Sequence, residues 1–512
     1  MRRTTPSIFA ALTLTTALTA LTGCSGGVST EGATGNKDVL TLSAPADMPW
    51  LDLSKQSSNY QGWAKEAVYD TLVRCNVKGQ WEPDVAEDLT VNSDNTVFTA
   101  KIRKGMKFSD GTPVNAATVK ASLEYAAKNG GGVSRLKGIK VTTPDAMTAV
   151  ITMPQPYPTL PTYLCGGQGI IASAKYIKAG KINSTNPVGS GPYTYDKAAS
   201  TSGSQYVFNK NNDYWDADNF PYKKLVIKVI TSETAIVNAL KTGQIDGAPI
   251  SDTTYNEAKS SGLGIQTLTG VTTRLLLTDH DGKKVPALGN VNVRRAMNMV
   301  FDKKALANDL YQGRAEATSQ IFRKGTSAYI DGLEDPYPYN VKKAKELMAK
   351  AGYGNGFSLE IPYIAGTAGM DSLLPVVKQQ LGLLNIKVKQ VTLSGPNAIL
   401  NLLSGKYPVV LWPLGNTGDS RADIEGTVLD TGLWNLEHQP DATVTKLWKT
   451  ILTADSKGSV TAQQQVNRYI IDQAWFVPMV YPDWYYAYDR KKVDLQAATD
   501  MEGLNPLLWN FK

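Results

Sequence analysis

Two short patterns in this chain have the form of serine acyl-transfer chemistry. Ser134-Arg-Leu-Lys137 spaces a hydroxyl and an amine one helical turn apart, and Lys241-Thr242-Gly243 has the form of the lysine box that accompanies it. The chemistry needs the serine at a helix start and the second box on a strand. Ser134 instead follows Gly130-Gly131-Gly132, Lys241 ends a predicted helix, and no S-D-N box lies between them. With only His280 and His438 in 512 residues, few histidine-based acid/base arrangements are possible. The G-x-S-x-G form occurs at Gly23-Cys-Ser-Gly-Gly27, where no apolar strand leads into it and no helix follows, and there is no H-E-x-x-H or Walker loop. The two histidines lack the close His/Cys/carboxylate spacing of a zinc site, so no cofactor and no metal are expected. These residues point to a protein that binds, not to an enzyme; a penicillin-binding type of serine hydrolase is the alternative from another class.

A different chemistry is suggested at the N-terminus. Met1-Arg2-Arg3 precedes an apolar, Thr-rich run from Ile8 to Leu21, which ends in Leu21-Thr22-Gly23-Cys24. A charged start, an apolar stretch and small residues at the cut describe a secretory signal peptide over 1–23. Cys24 directly after the small residues resembles a lipobox, in which that cysteine becomes the lipidated new N-terminus. The apolar run is shorter than the ~20 residues a spanning helix needs. The reading is therefore an extracytoplasmic protein, held to a bacterial cell membrane by its lipid. Residues 24–37, rich in Ser, Gly and Thr, read as a flexible tether.

Export also sets the redox setting. Cys75 and Cys165 remain after Cys24, enough for one disulfide or for two separately buried thiols. The formal charge of +7 falls by two to +5 when Arg2 and Arg3 leave with the leader. That is too little, and too scattered, for nucleic-acid binding. The length allows two or three domains, and a monomer is expected.

The elements that must position any site alternate along the chain. Val39–Leu42 reads as a first strand, and Asn115 caps a helix with Ala116, Val119, Leu123 and Ala126 at helical spacing. Strand 225–230, helix 232–241, strand 244–248 and helix 253–260 follow, a pattern of α/β layers with parallel strands. The second half continues with strand 274–278, helix 291–300, and a helix capped by Asn340 and stopped by Gly352. Strands 359–363, 386–391 and 408–412 surround helix 371–384, and a last strand runs through Val477–Val480.

Several blocks in order resemble the peptide/nickel-type solute-binding proteins of ABC importers, family 5. They are Glu66-Ala-Val-Tyr-Asp-Thr-Leu72, Pro83-Asp-Val-Ala-Glu87, Phe98 through Asp110-Gly111-Thr-Pro113, Pro187-Val-Gly-Ser-Gly-Pro-Tyr193 and Asn212-Asp-Tyr-Trp215. Gly243-Gln-Ile-Asp246, Val293-Arg-Arg-Ala-Met297, Asp302-Lys303 and Lys343-Ala-Lys-Glu-Leu347 complete the set. Each has a structural reading of its own, as turn or packing residues, so the blocks mark a scaffold and not the binding surface.

The resemblance implies an α/β, two-lobe periplasmic-binding-protein-like fold (type II, cluster C) with an inserted subdomain in lobe I. Lobe I would take 38–270 plus 482–512, with 81–184 as the insert, and lobe II 271–481. It further implies a ligand held between the lobes and delivered to the transmembrane subunits of an ABC permease, without covalent chemistry. Trp412, expected at the end of its strand, resembles a pocket aromatic of the family. Asp419 arrives later than the acid that takes a peptide amine there, so its role and peptide binding are open. Trp50, Tyr363 and Tyr481 are further candidates, each with core packing as the alternative. The ligand is expected to be a small molecule, with peptide first, oligosaccharide second and a metal complex third.

Overall fold

The computed structural model describes residues 38–45, 47, 62–76, 80–129, 135–181, 187–268, 270–364, 370–394, 397–496 and 506–512. The signal peptide, Cys24, the tether, Trp50 and Ser134 lie outside them. The rest is built on two main sheets. The first has seven strands in the spatial order Gly264–Leu268, Trp484–Tyr488, Gly247–Ile250, Val39–Ala44, Lys224–Val229, Gln205–Lys210 and Tyr193–Thr201. The second has four, in the order Ala315–Ala317, Phe476–Pro482, Val271–Leu276 and Val410–Gly415. The chain passes from the first to the second between Leu268 and Val271 and returns between Pro482 and Trp484.

The expectation of mainly parallel strands is corrected. Val39–Ala44 runs parallel to Lys224–Val229 and touches Gly247 in parallel, and Ser358–Ile364 runs parallel to Lys387–Leu393. The other pairings among the described strands are antiparallel. The physical reason is connection length. Hairpins such as 193–210 pair neighbours directly. The late strand Trp484–Tyr488 enters from the opposite direction, between Gly247–Ile250 and Gly264–Leu268.

Between Val39–Ala44 and Tyr193–Thr201 the chain leaves the first sheet to build a separate four-stranded antiparallel layer, 86–152. Its Phe98, Ile102 and Ile151 pack under the helix Ala116–Ala126. Asn115 starts that helix as its sequence predicts: its side chain accepts from Thr118 N at 3.1 Å, and its own N–H donates to the Thr118 hydroxyl at 3.1 Å. The helix 341–350 likewise opens on Asn340 and stops at Gly352, which takes φ +84°. Gly189 and Gly191 are glycines for a different reason than turn geometry. A Cβ on Gly189 would lie 1.9 Å from the Val68 carbonyl oxygen, so the chain passes too close for any side chain.

Three boundaries move. The strand expected at 244–248 starts at Gly247, because Asp246 turns inward to accept from Thr41 N and pair with Lys492. The strand expected at 408–412 runs from Val410 to Gly415, placing Trp412 in its middle. It continues through Pro413 because it is an edge strand of its sheet, where a missing N–H costs no ladder bond. Finally, Val477–Val480 is not in the last strand; Trp484–Tyr488 follows it.

Candidate functional site

Helix Ser420–Thr427 stands over one face of the four-stranded sheet, and its first turn is built from short polar residues. Asp419 caps it, accepting from Arg421 N at 2.9 Å. Asp423 accepts from Thr417 N at 2.9 Å and the Thr417 hydroxyl at 3.0 Å, while Asn416 bridges to Ile321 O and to the Thr272 hydroxyl. This polar layer fixes the helix against the end of the strand Val410–Gly415, in the middle of which Trp412 lies.

The same helix faces the separate layer. Glu425 accepts from the Tyr157 hydroxyl at 2.7 Å, the Thr159 hydroxyl at 2.9 Å and the Tyr163 hydroxyl at 2.9 Å. Asp419 accepts from the Thr162 hydroxyl at 3.2 Å. Four donors from one seven-residue segment therefore meet two carboxylates of one helix. Burial, then the charge of Glu425, pushes the Tyr157 and Tyr163 phenols up, so both remain donors at ordinary pH. Arg135 lies 4.0 Å over the Tyr163 ring. Cys165 caps the short helix Leu160–Leu164 in this segment and is disulfide-bonded to Cys75, with Cα atoms 5.3 Å apart. The bridge ties the segment to the strand Val73–Cys75.

The residues singled out from sequence are spread among different roles. Trp412 is half-buried and stacks on Trp434, ring centroids 5.9 Å apart. Asp419 lies at the meeting of the two layers, but Arg421 also grips its carboxylate, through Nε at 3.0 Å and a second nitrogen at 2.9 Å. Tyr481 is buried, its hydroxyl 2.7 Å from Phe322 O and 3.0 Å from Gln320 O, so its polar tip is engaged within the lobe. Tyr363 is half-buried in Ser358–Ile364, with its hydroxyl on Asp371. Glu425, Tyr157 and Tyr163 were missed. Nothing local marks them, because their proximity spans more than 260 residues of chain.

Asp279, Asp281 and Glu437 bring carboxylate oxygens within 4.8 Å of one another. Lys283 lies 2.7 Å from Asp281 and Lys284 2.7 Å from Glu437, so two ammonium groups already answer that charge. His280 stacks on Trp475, and burial pushes its imidazole down to about 4. Lys241 pairs with Glu257 at 3.1 Å, at the surface.

The sequence profile described as bacterial extracellular solute-binding proteins, family 5 middle region, matches residues 80–427. The chain belongs to this family. Among curated relatives, the glutathione-binding protein GsiB of Shigella dysenteriae is 30% identical over 367 residues, 70% of this chain and 69% of its own length. GsiB of Escherichia coli O6:K15:H31 is 30% identical over 319 residues, so the chain spans 60% of that relative's length. Among solved structures, the binding protein AgaA of A. tumefaciens R10, in complex with agropinic acid, superposes with a TM-score of 0.82 at 23% identity, covering 93% of this chain and 98% of AgaA. DppA of Helicobacter pylori, in complex with the peptide STSA, gives 0.79 at 20%, covering 92% and 97%. At those identities the likeness is one of fold: this family 5 solute-binding protein has the α/β periplasmic-binding-protein architecture. Among the described residues, no helix is long and apolar enough to cross a membrane.

Proposed function

We propose that this solute-binding protein is the lipid-anchored receptor of an ABC importer, that it captures a peptide between two lobes, and that it hands the peptide to the permease without chemical change. Leu21-Thr22-Gly23-Cys24 supports the anchor. The lobes of this proposal are 38–270 plus 482–512, with 81–184 inserted, and 271–481. The observation that carries the reading is the contact of Asp419 and Glu425, from the second lobe, with Thr162, Tyr157, Thr159 and Tyr163 of the insert. A few hydrogen bonds to charged groups, roughly 1.5–3 kcal/mol each, can be made and broken as the lobes close and open. A ligand touching both lobes then shifts that balance by its differential affinity for the closed form.

Trp412 supplies a flat apolar wall at this boundary, and Asp419 a carboxylate for the peptide amine, which takes the place of Arg421. The relatives named for glutathione and the fold neighbour holding STSA favour peptide. The Trp412–Trp434 stack is the observation that favours an oligosaccharide instead, since sugars lay apolar faces on rings. Calorimetry of the mature chain with Ala-Ala-Ala, glutathione and maltotriose separates the two. Peptide binding that weakens at least tenfold in Asp419→Asn is expected; maltotriose binding with no peptide binding would overturn the peptide assignment.

A further inference from the structure

The helix Leu160–Leu164 has five residues, little more than one turn, and its cap Thr159 makes no side-chain capping bond. A helix this short has no stability of its own, so contacts made elsewhere must hold its depth and rotation. Leu160 and Leu164, four apart, are buried in the core of the 86–152 layer. Thr159, Thr162 and Tyr163, spaced three and four apart, form another face, and these are donors that reach Glu425 and Asp419. Tyr157 completes the set. Its N–H donates to Asn95 O at 2.8 Å, and its ring stacks on that of Tyr163, centroids 5.9 Å apart.

Three hydroxyls converge on the Glu425 carboxylate, two of them on the same oxygen, and such bonds weaken steeply away from good distance and angle. Two buried leucines set the depth of a single turn but not its rotation about their own line. Directly behind the helix stands Cys165, bonded covalently to Cys75. Cys75 is 5% exposed and closes the strand Val73–Cys75, which pairs with Trp81–Pro83. The next backbone tie to that region, Leu72 N to Gly169 O at 2.8 Å, comes four residues after Cys165. In the division proposed above, Cys75 belongs to the first lobe and Cys165 to its insert, so the bridge joins the contact segment to the lobe that carries it. The chain-entropy gain from a bridge depends on loop length and not on what stands beside it. A place two residues from Tyr163 therefore bears on the contact itself.

We propose that the Cys75–Cys165 bridge is a positioning element of the receptor, holding the donors of residues 157–163 where Glu425 and Asp419 meet them. A chain with the bridge makes the contact between lobes; a chain without it makes that contact poorly. The proposal rests on reading this contact as the one that forms when the lobes close. Ligand affinity then depends on two cysteines as well as on the residues that line the cleft, because closure and binding draw on one equilibrium.

Hydrogen exchange of the mature, ligand-free receptor tests this on the parent, Cys75→Ser/Cys165→Ser, Glu425→Gln and the variant that combines all three substitutions. Without the bridge, amides of helix 420–427, on the far side of the contact, should exchange roughly tenfold faster, the scale of one lost hydrogen bond to a charged group. Glu425→Gln should speed the same amides to a similar extent, and the combined variant no further, since both act through one contact. A bridge that only stabilises its own surroundings would speed exchange in 73–75 and 157–165 and leave 420–427 at the parent's rate, which would overturn the proposal. Additive effects in the combined variant would do the same, as would equal acceleration in helix 341–350, the mark of a global loss of stability. If the double-serine chain does not fold, reduction of the bridge by dithiothreitol in folded parent and folded Glu425→Gln decides. Loosening the segment opens the disulfide to a thiolate, so roughly tenfold faster reduction is expected in Glu425→Gln, and the parent's rate would overturn the proposal. No ligand enters either measurement, so a failure of the peptide assignment in calorimetry is told apart from a failure here.

Discussion

Arg74 and Arg274 are both arginines near aromatic rings, one in the two-stranded sheet of Val73–Cys75 and one in the second main sheet, and they are treated in opposite ways. Arg74 lies 3.0 Å from Asp216 and 3.9 Å from Asp84, between Trp215 at 4.9 Å and Trp509 at 5.5 Å. Burial pulls its guanidinium down, but Asp84, Tyr214 and Asp216 outweigh it and the net direction is up. Arg274 has rings and one distant carbonyl, and its net direction is down. Burial by itself does not make the difference. Arg294, in the same lobe as Arg274, is also buried and also pushed down to about 10, yet three bonds of 2.7–3.0 Å to Leu288, Gln473 and His280 carbonyls satisfy it. A buried cation with its partners in place has its desolvation answered within the fold; one without them does not.

The comparison can be broken or sharpened on the Arg74 side, beginning with the largest effect. Cys75 follows Arg74 in the strand Val73–Cys75, and its bridge to Cys165 closes a separation of 90 residues. Reduction and alkylation should lower unfolding free energy by about 4–5 kcal/mol in the chain-entropy account, read as a shift in the urea midpoint. A shift under about 1 kcal/mol would show that the bridge adds little to the wall it joins. Next, Arg74→Met strips two carboxylates of their cation and should cost about 3 kcal/mol. Set beside Arg274→Met, for which no loss is expected, the pair is the direct form of the contrast. Equal destabilisation of both variants would erase it.

The smallest effect is a pH dependence. Glu66 is half-buried, and burial raises its carboxyl from 4.5 to about 7 despite the Leu508 N–H that donates to it at 2.8 Å. Leu508 precedes Trp509, one wall of the Arg74 site. Because the folded value is the higher one, the folded chain keeps a proton that the unfolded chain has lost. Stability is complete below about pH 4.5 and falls as pH rises through about 7. At ~1.4 kcal/mol per unit, trimmed for partial exposure, about 2 kcal/mol is at stake. Glu66→Gln keeps an acceptor for Leu508 and should exceed the parent's stability by that amount at pH 8, with no gain at pH 4. A constant difference across that range would place the effect elsewhere.

What sequence reading determined here is local or ordered along the chain. Asn115 and Asn340 cap helices because a short side-chain acceptor reaches an N–H two or three residues on, a contact that needs no distant partner. The family blocks are legible for the same reason: a Gly-Ser-Gly-Pro passage or an Asp-Gly turn keeps its residue types whatever the ligand. Tertiary structure alone decided the meeting of helix Ser420–Thr427 with residues 157–163. Glu425 reads as a solvated helix acid until the fold sets three hydroxyls of residues 157–163 against it. Register puts Arg274 opposite Trp412. Tyr481, an equally good aromatic by sequence, is turned inward to two carbonyls. Arg274 itself looks like any strand-end charge in one dimension. Only the helix laid over its face, joined to it through more than 140 residues of chain, removes its water, and desolvation is a property of the assembled layers that no local spacing encodes.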